Sequence, residues 1–284
     1  MKIEGWNYYN HAAVPTCTPH EEPNLAPVED GTIWSLTAVG GILLLVMYCT
    51  DFDCKEETQF WHVIKDSFGG MEELSSKMRN QVKKSLKTYD VERITGEEFR
   101  RIALPIYNAA QENYRVKVSL SRQEEIDRLA EAEGKEFWAV YTKNHDDDYD
   151  HDCGRKAVAV AINTVTRDRS RWRGCAEYNT MKCDPMYQHN STYPYYGLIY
   201  EMNRYYLEEQ GLGYVNDGAR SLTEHSNIQG FLIEKFHFRR AYCRVQIVYQ
   251  WWFGIIVKVL YPFRRFIKNP KIRGVLRLEE IRRG

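Results

Sequence analysis

The chain has 284 residues, and its 39 basic and 39 acidic side chains give a formal net charge of zero. A neutral balance excludes the strongly charged classes of protein, so we expect neither a DNA partner nor an acidic partner from global charge. The hydrophobic fraction of 43% and the charged fraction of 27% are those of an ordinary globular protein, with length for one large domain or two small ones.

Cysteine usage and the chain's N-terminus bear on compartment and metal content. The seven cysteines form no regular framework, and neither the Cys49–Cys54 nor the Cys175–Cys183 spacing matches a zinc knuckle. Reduced thiols and no metal are therefore expected. The N-terminus lacks a signal-peptide pattern, and the apolar run 38–48 is shorter than the roughly 20 residues that span a membrane. Together these features predict a cytoplasmic protein.

The first ninety or so residues read as an extension of strands with one basic helix. The first thirty, rich in proline, asparagine and histidine, are predicted to be irregular. Apolar residues on both sides of Gly40 and Gly41 predict a two-stranded hairpin over 33–47. Residues 71–87 repeat apolar side chains at helical spacing. The opposite face of that helix is a basic stripe, either solvated or in contact with an anion such as phosphate: Lys77, Arg79, Lys83, Lys84 and Lys87.

Strands and helices alternate from residue 89 to residue 249. A strand, two helices and a long hairpin come first, and the hairpin tip holds a dense group of His and Asp: His145, Asp146, Asp147, Asp148, Asp150, His151 and Asp152. This tip lacks the glycine and terminal glutamate of an EF-hand loop, which favours a solvated tip over a cation site. Residues 176–249 then follow as strand, helix, strand, helix, strand, a pattern that indicates a mixed α/β domain.

This order of elements resembles the GNAT acyltransferase fold over residues 89–249. GNAT proteins commonly end with a helix similar to "LEKFGF" and then a strand, and FLIEKFHFRRAYCRVQIVY (231–249) looks like that. The upstream segment 74–95 resembles the basic helix and first strand of Fem-like members. The resemblance implies a mixed central sheet flanked by helices, with 1–88 as an N-terminal strand-rich extension and 250–284 as a basic aromatic C-terminal segment.

The resemblance also implies an acyl donor, acetyl-CoA or another acyl-CoA, whose pyrophosphate rests on backbone N–H groups at a helix N-terminus. That place is the loop QHNSTYPYYGL (188–198), in which Ser191 and Tyr193 stand where the family has glycine or a small residue. Some Fem-like members use other donors such as aminoacyl-tRNA. The cofactor-binding residues that the resemblance implies are Gln188, His189, Asn190, Ser191, Tyr196 and Gly197.

The segment NDGARSLTEHSN (216–227) is the best candidate for the reaction site, because it leaves a strand at the end where such sheets bind ligands. Acyl transfer to an amine needs a base, for which either Glu224 or His225 is suitable, and an acid, for which Tyr195 is the candidate. Asp217, Arg220 and Asn227 are expected to bind substrate, with Arg220 as a fork for a carboxylate or phosphate. The alternative is ordinary: Asp217-Gly218 forms a turn and Ser226 or Asn227 caps a helix.

The C-terminal stretch 250–273 is aromatic, apolar and basic, a combination that suits a membrane interface, a core cap or a homodimer contact. The sequence therefore predicts an N-acyltransferase that moves an acyl group to an amine or saccharide acceptor, cytoplasmic or peripheral on the inner face of the membrane. The acceptor is expected to be a small molecule, such as a sugar or cell-wall precursor. The alternative is a noncatalytic GNAT-fold protein that binds a ligand or a membrane surface.

Overall fold

The structure, a computed structural model, describes residues 2–36, 41–114, 119–143, 155–188, 190–220 and 228–283. The predicted acidic hairpin tip lies outside these residues. The described chain forms two compact units. The first comprises Met1–Val63, Ala219–Ile228 and Arg239–Gly284, and the second comprises Ile64–Gly218 and Gln229–Phe238. The division of the chain at residues 88 and 249 stays a prediction.

The strands, in chain order, are β1 (Trp6–Tyr9), β2 (Ala12–Pro15), β3 (Leu45–Thr50), β4 (Phe60–Lys65), β5 (Tyr89–Ile94), β6 (Lys135–Thr142), β7 (Ala157–Thr166), β8 (Cys175–Cys183), β9 (Tyr214–Ala219) and β10 (Arg239–Tyr249). The α-helices are α1 (Ala26–Glu29), α2 (Ser76–Thr88), α3 (Gly96–Glu112), α4 (Gln123–Ala130), α5 (Pro185–Gln188), α6 (Pro194–Asn203), α7 (Ile228–Phe236), α8 (Trp251–Leu260) and α9 (Pro270–Arg283). Among the described residues, every helix is too short or too polar to cross a lipid bilayer.

The first unit is built on a small mixed sheet. Strand β1 pairs antiparallel with β2, β2 pairs parallel with β3, and β3 pairs antiparallel with β10. Because side chains alternate across a strand, neighbouring residues enter two different cores. Leu45 packs with Val245 and Ile247 on one face, while Val46 packs with Trp6 and other residues on the opposite face.

Two predictions for the N-terminal region are wrong. The supposedly irregular first thirty residues contain the hairpin of β1 and β2, whose turn is formed by Asn10 and His11 at positive φ. Where a first strand was predicted from residue 33 on, the described residues form a 3₁₀ turn, Thr32–Ser35, and strand β3 begins only at Leu45. The apolar residues Ile33 and Leu36 signalled burial correctly, but short apolar runs do not distinguish a strand from a turn.

The second unit places helices on both faces of a sheet in which β5, β6, β7 and β8 pair antiparallel. Phe137, Ala139 and Tyr141 of β6 face a core with Phe99 of α3. Trp138, one position out of phase, points to the other face and donates to the Tyr206 hydroxyl, just beyond α6. The predicted mixed α/β fold, a sheet flanked by helices, is therefore confirmed.

Local sequence signals define where the helices of this unit begin. Ser75 accepts a hydrogen bond from the N–H of Met78 and caps α2, and Thr95 does the same for Glu98 and caps α3. Each cap satisfies one of the N–H groups that a helix start leaves without a partner, which stabilises the helix by about 1 kcal/mol. The Ser75 cap sets the first residue of α2, the helix that carries the basic stripe identified in the sequence.

Candidate active site

The parallel pair of strands in the second unit opens at its carboxyl end. The register of β8 and β9 runs from Cys175 opposite Tyr214 to Glu177 opposite Asn216. Both strands then continue, β8 to Cys183 and β9 to Ala219, without further pairing to each other in the described register. Gly218 adopts φ = 89°, a conformation that favours glycine. The two strands therefore part at Asp217.

Asp217 lies at the point where the two strands part. Burial raises the pKa of its carboxyl from 3.8 to about 7, and a hydrogen bond with Gln229 of α7 only partly offsets this. A carboxyl with a pKa near neutrality can both accept and return a proton, the property that a general base requires. The sequence placed Asp217 among the substrate-binding residues, and its position and pKa make it the strongest candidate base among the described residues.

Tyr178 occupies the corresponding position on β8, just beyond the last paired residue. Its buried hydroxyl donates to Oδ1 of Asn203 at the end of α6, at 2.8 Å. Burial raises the pKa of this hydroxyl well above its ordinary value, and the charge of Asp217 contributes to the shift. The Tyr178 hydroxyl therefore stays protonated, and its pKa depends on whether Asp217 is charged.

A buried polar network lies behind Tyr178. The Tyr206 hydroxyl accepts hydrogen bonds from Trp138 Nε1 at 2.9 Å and Asn163 Nδ2 at 3.1 Å, and donates to Glu136 Oε2 at 3.2 Å. Tyr206 lies in a π-helical turn, Arg204–Glu209, that extends α6. Such turns are rare and are often found at functional sites. The network holds the wall of the opening in one arrangement.

The predicted donor loop contacts the basic stripe of α2. The Nζ atom of Lys84 donates to the Ser191 hydroxyl at 3.0 Å, and the side chain of Asn190 accepts from the N–H of Thr192 at 2.9 Å. Gln188 ends the short helix α5, and His189 lies outside the described residues. One lysine of the stripe thus reaches the loop at which the sequence resemblance implies pyrophosphate.

The start of α6 offers fewer backbone N–H groups to a phosphate than a glycine-rich loop does. Pro194 has no N–H, and the N–H of Gly197 donates to the Ser85 hydroxyl of α2 at 3.1 Å. A Cβ atom at position 197 would lie only 2.6 Å from that hydroxyl oxygen, so this glycine permits close packing of α6 on α2. A phosphate at this loop would therefore rely on side chains such as Lys84 more than on backbone N–H groups.

The tyrosines of the loop have different surroundings. Tyr195 donates weakly to the backbone oxygen of Met181 at 3.5 Å, and burial raises the pKa of its hydroxyl. Tyr196 packs against the rings of Tyr193, Phe231 and Phe236, with ring centres 5.1 to 6.1 Å apart. The role of Tyr195 as an acid and that of Tyr196 in cofactor binding remain predictions.

The remaining predicted residues fall elsewhere. Glu224, His225 and Asn227 lie outside the described residues. Arg220 belongs to the first unit, where its guanidinium stacks 4.4 Å from the ring centre of Trp61 and donates to the backbone oxygen of Gln59. Arg240 stacks on the same ring at 4.6 Å. Within that unit Arg220 thus has a structural role, and its predicted role in substrate binding remains untested.

Three residues that line the opening or its wall were missed in the sequence: Tyr178, Asn203 and Tyr206. No local signal marks Tyr178 and Asn203, because their elements carry other polar side chains, such as Glu177 in β8 and Glu201 in α6. Buried polar side chains must find partners. Their partners come from distant parts of the chain, which no local pattern reveals.

Comparison with known proteins gives similarity in structure only. No protein-family model matches the sequence, and no curated protein matches it. The solved structure of FemX is similar with a TM-score of 0.49 and 12% identity, over 76% of this chain and 74% of that chain. The structure of L-PGS from Bacillus licheniformis also has a TM-score of 0.49 and 12% identity, over 86% and 79%. An aminoglycoside acetyltransferase from an uncultured soil metagenomic sample, in complex with trehalose, has a TM-score of 0.35 and 14% identity, over 53% and 86%.

The topology of the second unit decides the type of fold. An antiparallel run of strands leads into the parallel pair β8 and β9, with α6 between them and α7 after them in the chain. The fold is GNAT-like. This confirms the fold that the sequence resemblance to GNAT and Fem-like proteins implied, whereas activity needs its own argument from the residues.

Proposed function

We propose that the chain is an N-acyltransferase that moves an acyl group from a coenzyme A thioester, or a related donor, to the amine of a small molecule. The observation that supports this most is Asp217, a carboxyl with a pKa of about 7 where β8 and β9 part. An amine that attacks a thioester must lose a proton, and the departing thiolate must gain one. A carboxyl half ionised at neutral pH is suited to accept the first proton and to return it.

The parted strands explain how a donor would be held. Beyond Glu177 and Asn216 the facing edges of β8 and β9 no longer bond to each other in the described register. Backbone N–H and C=O groups left in this way bind an extended chain of amides, as a sheet edge binds a peptide. The amide-containing arm of coenzyme A has this chemistry. Its thioester would then lie near Asp217, and its phosphates near Lys84 and the loop residues Gln188 to Gly197. The acceptor is an amine, on a saccharide or another small molecule.

The donor site can be tested by titration of the protein with coenzyme A in a calorimeter. We expect saturable binding by the wild-type protein and binding weakened roughly three- to tenfold by Lys84→Ala, because one screened contact to a phosphate contributes about 1 kcal/mol. The loss should shrink as salt is added. Lys77→Ala is the matched control, since Lys77 is an exposed lysine of the same helix. We expect less than a twofold change for it.

Two results would contradict the proposed donor site. The first is the absence of binding by the wild-type protein. The second is an equal loss in the Lys84 and Lys77 variants, since equal losses would mean that only the total charge of α2 matters.

A second function, binding to an anionic membrane surface, is favoured by the exposed apolar stripe of α8. Trp251, Ile255 and Val259 follow one another at helical spacing, and they are 74%, 57% and 61% exposed. Phe263 and Phe266 continue the apolar surface, 57% and 81% exposed, among the basic residues Lys258, Arg265 and Lys268. Apolar side chains flanked by cations suit the boundary between acyl chains and anionic headgroups.

Vesicle flotation tests this second function. The wild-type protein is expected to float with vesicles that contain both phosphatidylserine and phosphatidylcholine. With vesicles of phosphatidylcholine alone, it should remain at the bottom of the gradient. The variant with Trp251, Ile255 and Val259 all changed to serine should lose most of the binding, because burial of each side chain stabilises by about 1.5–3 kcal/mol. Met186→Ser is the control, since Met186 is an equally exposed apolar residue, 73%, in the second unit.

If the triple variant and the wild-type protein float with the vesicles in equal amounts, the proposed membrane binding through α8 is contradicted. A dimer that forms without vesicles and is lost in the triple variant would assign the stripe to a homodimer instead.

A further inference from the structure

Three potential metal ligands meet inside the first unit. They are Cys49 on β3, His62 on β4 and Cys243 on β10, and one ligand atom from each lies within 4.8 Å of the others. The Cys49 Sγ atom is 3.8 Å from the Nε2 atom of His62. Cys49 and His62 lie on consecutive strands, but Cys243 lies on the last strand of the chain, so the spacing of the cysteines could not reveal this cluster.

The distances suit a shared metal ion. Zinc binds thiolate sulfur at about 2.3 Å and imidazole nitrogen at about 2.0–2.1 Å, so ligand atoms around a tetrahedral ion lie roughly 3.5–3.8 Å apart. The separation between Cys49 Sγ and His62 Nε2 is already of this size. The other separations, at most 4.8 Å, need only small side-chain rotations. Thiolate and imidazole are the ligand types that zinc prefers.

The surroundings of His62 are mostly aromatic and apolar. Its side chain is 9% exposed, and the rings of Phe52 and Phe60 lie 5.9 and 6.4 Å from its ring centre. Its Nδ1 atom is buried without a hydrogen-bond partner among the described residues. A buried imidazole nitrogen left in this way destabilises the fold by about 1–3 kcal/mol, and such groups point to an ion or ordered water.

A disulfide between Cys49 and Cys243 fits less well. Cys49 pairs with Val245 in the register of β3 and β10, so Cys243 is its diagonal neighbour. Diagonal neighbours have Cα atoms roughly 7–8 Å apart, beyond the usual disulfide limit of about 6.8 Å. The two sulfurs nevertheless lie within 4.8 Å of each other, close enough to ligate the same ion after a small side-chain rotation.

A further thiol lies beside the cluster. The N–H of Cys54 donates to the backbone oxygen of Tyr242 at 3.0 Å, next to Cys243, and its thiol points to the backbone oxygen of Glu56. The loop that carries Cys54 is held by a two-bond ion pair between Arg239 and Asp53, at 2.6 and 2.9 Å. Cys54 therefore lies next to a residue of the cluster in the fold, but its thiol is not one of the three clustered ligands.

We propose that Cys49, His62 and Cys243 form a binding site for a zinc ion in the first unit. This reverses the expectation from the sequence that the protein holds no metal. The site is independent of the acyl-donor site, since all its ligands belong to the first unit. A zinc ion there would join β3, β4 and β10 and bring the two cysteine sulfurs and the His62 Nε2 atom onto one cation.

Cobalt substitution tests the site on the full-length protein, reduced and stripped of metal. Co²⁺ bound by two thiolates and an imidazole is expected to give one equivalent of thiolate-to-cobalt charge-transfer absorption, which Zn²⁺ then removes by displacement. Cys49→Ser and Cys243→Ser should each weaken binding more than about tenfold. Cys17→Ser is the matched control, because the Cys17 thiol lies in the same unit near the backbone oxygen of Glu21 and is not one of the three clustered ligands. It should bind as the wild-type protein does.

A second measurement guards against variants that simply fail to fold. Excess Zn²⁺ should raise the unfolding temperature of the wild-type protein and of Cys17→Ser, and should not raise that of Cys49→Ser, whose circular dichroism should remain that of a folded protein. Absence of charge-transfer absorption in the reduced wild-type protein would overturn the proposal. So would equal absorption in Cys49→Ser. A Cys49–Cys243 disulfide found by peptide mass after mild oxidation, without cobalt absorption, would make the cluster a redox pair instead.

Discussion

Replacement of Asp217 by asparagine is expected to stabilise the folded protein by roughly 2 kcal/mol at pH 8. In the fold the Asp217 carboxyl has a pKa of about 7, compared with an ordinary value of 3.8, because it is buried. The folded chain therefore binds this proton more tightly than the unfolded chain, and stability is lost as the pH rises from about 4 to 7. The full shift corresponds to about 4 kcal/mol, which we halve because the side chain keeps contact with solvent.

Urea unfolding at pH 5 and pH 8 checks this expectation. The gain in stability of Asp217→Asn over the wild-type protein should be clearly larger at pH 8 than at pH 5, because asparagine has no charge to bury. Asp66→Asn is the control, since Asp66 is exposed in the same unit, and it should change the free energy of unfolding by less than about 0.5 kcal/mol. A loss of stability in Asp217→Asn at pH 8 would mean that the carboxylate is needed for packing rather than for chemistry.

The ion pair between Lys65 and Glu73 should give the largest loss of stability. Lys65 is 2% exposed, and its Nζ atom lies 2.9 and 3.0 Å from the two carboxylate oxygens of Glu73. Glu73→Gln leaves a buried ammonium group without its counter-charge, and we expect a loss of about 3–5 kcal/mol. Lys65→Met should cost less, because the Glu73 carboxylate is 21% exposed and still accepts from the N–H of Gly69 at 3.1 Å.

The double variant decides whether the pair acts as a unit. Lys65→Met combined with Glu73→Leu removes both charges and should recover most of the stability lost in Glu73→Gln. Glu72→Gln is the control, because the Glu72 side chain is 86% exposed and its ion pair with Arg79 is 3.9 Å long. We expect that change to cost less than about 0.5 kcal/mol. Additive losses in the double variant would contradict a coupled pair.

The elements with a strong repeating pattern were predictable from the sequence. Strand β10 alternates along its whole length, and α2 repeats apolar residues at helical spacing, so both lie where the sequence placed them, within a few residues. The short strands β1 and β2 were missed because four residues carry too little pattern and β2 ends in a proline, Pro15. The apolar residues around Ile33 predicted that this segment is buried, but they did not predict its 3₁₀ turn.

The candidate site was predictable only in part. The resemblance and the position of segment 216–227 after a strand pointed to Asp217, but its role followed only from its burial. Tyr178 is brought to it by long-range packing, and no local rule joins strands that lie so far apart in the sequence. The same reason hid the Cys49, His62 and Cys243 cluster. Contacts of this kind depend on the register of the sheet, which a single sequence leaves open.

The most direct test of the proposed activity is the rate of thiol release from acetyl-CoA in the presence of a panel of small amines, measured from pH 6 to pH 9. The proposal predicts a rate that rises with pH and levels off above about pH 7, as the Asp217 carboxyl ionises. In Asp217→Asn that dependence should vanish and the rate should fall about 10²- to 10⁴-fold. An unchanged rate and pH profile in Asp217→Asn, or no thiol release by a wild-type protein that binds coenzyme A, would contradict it.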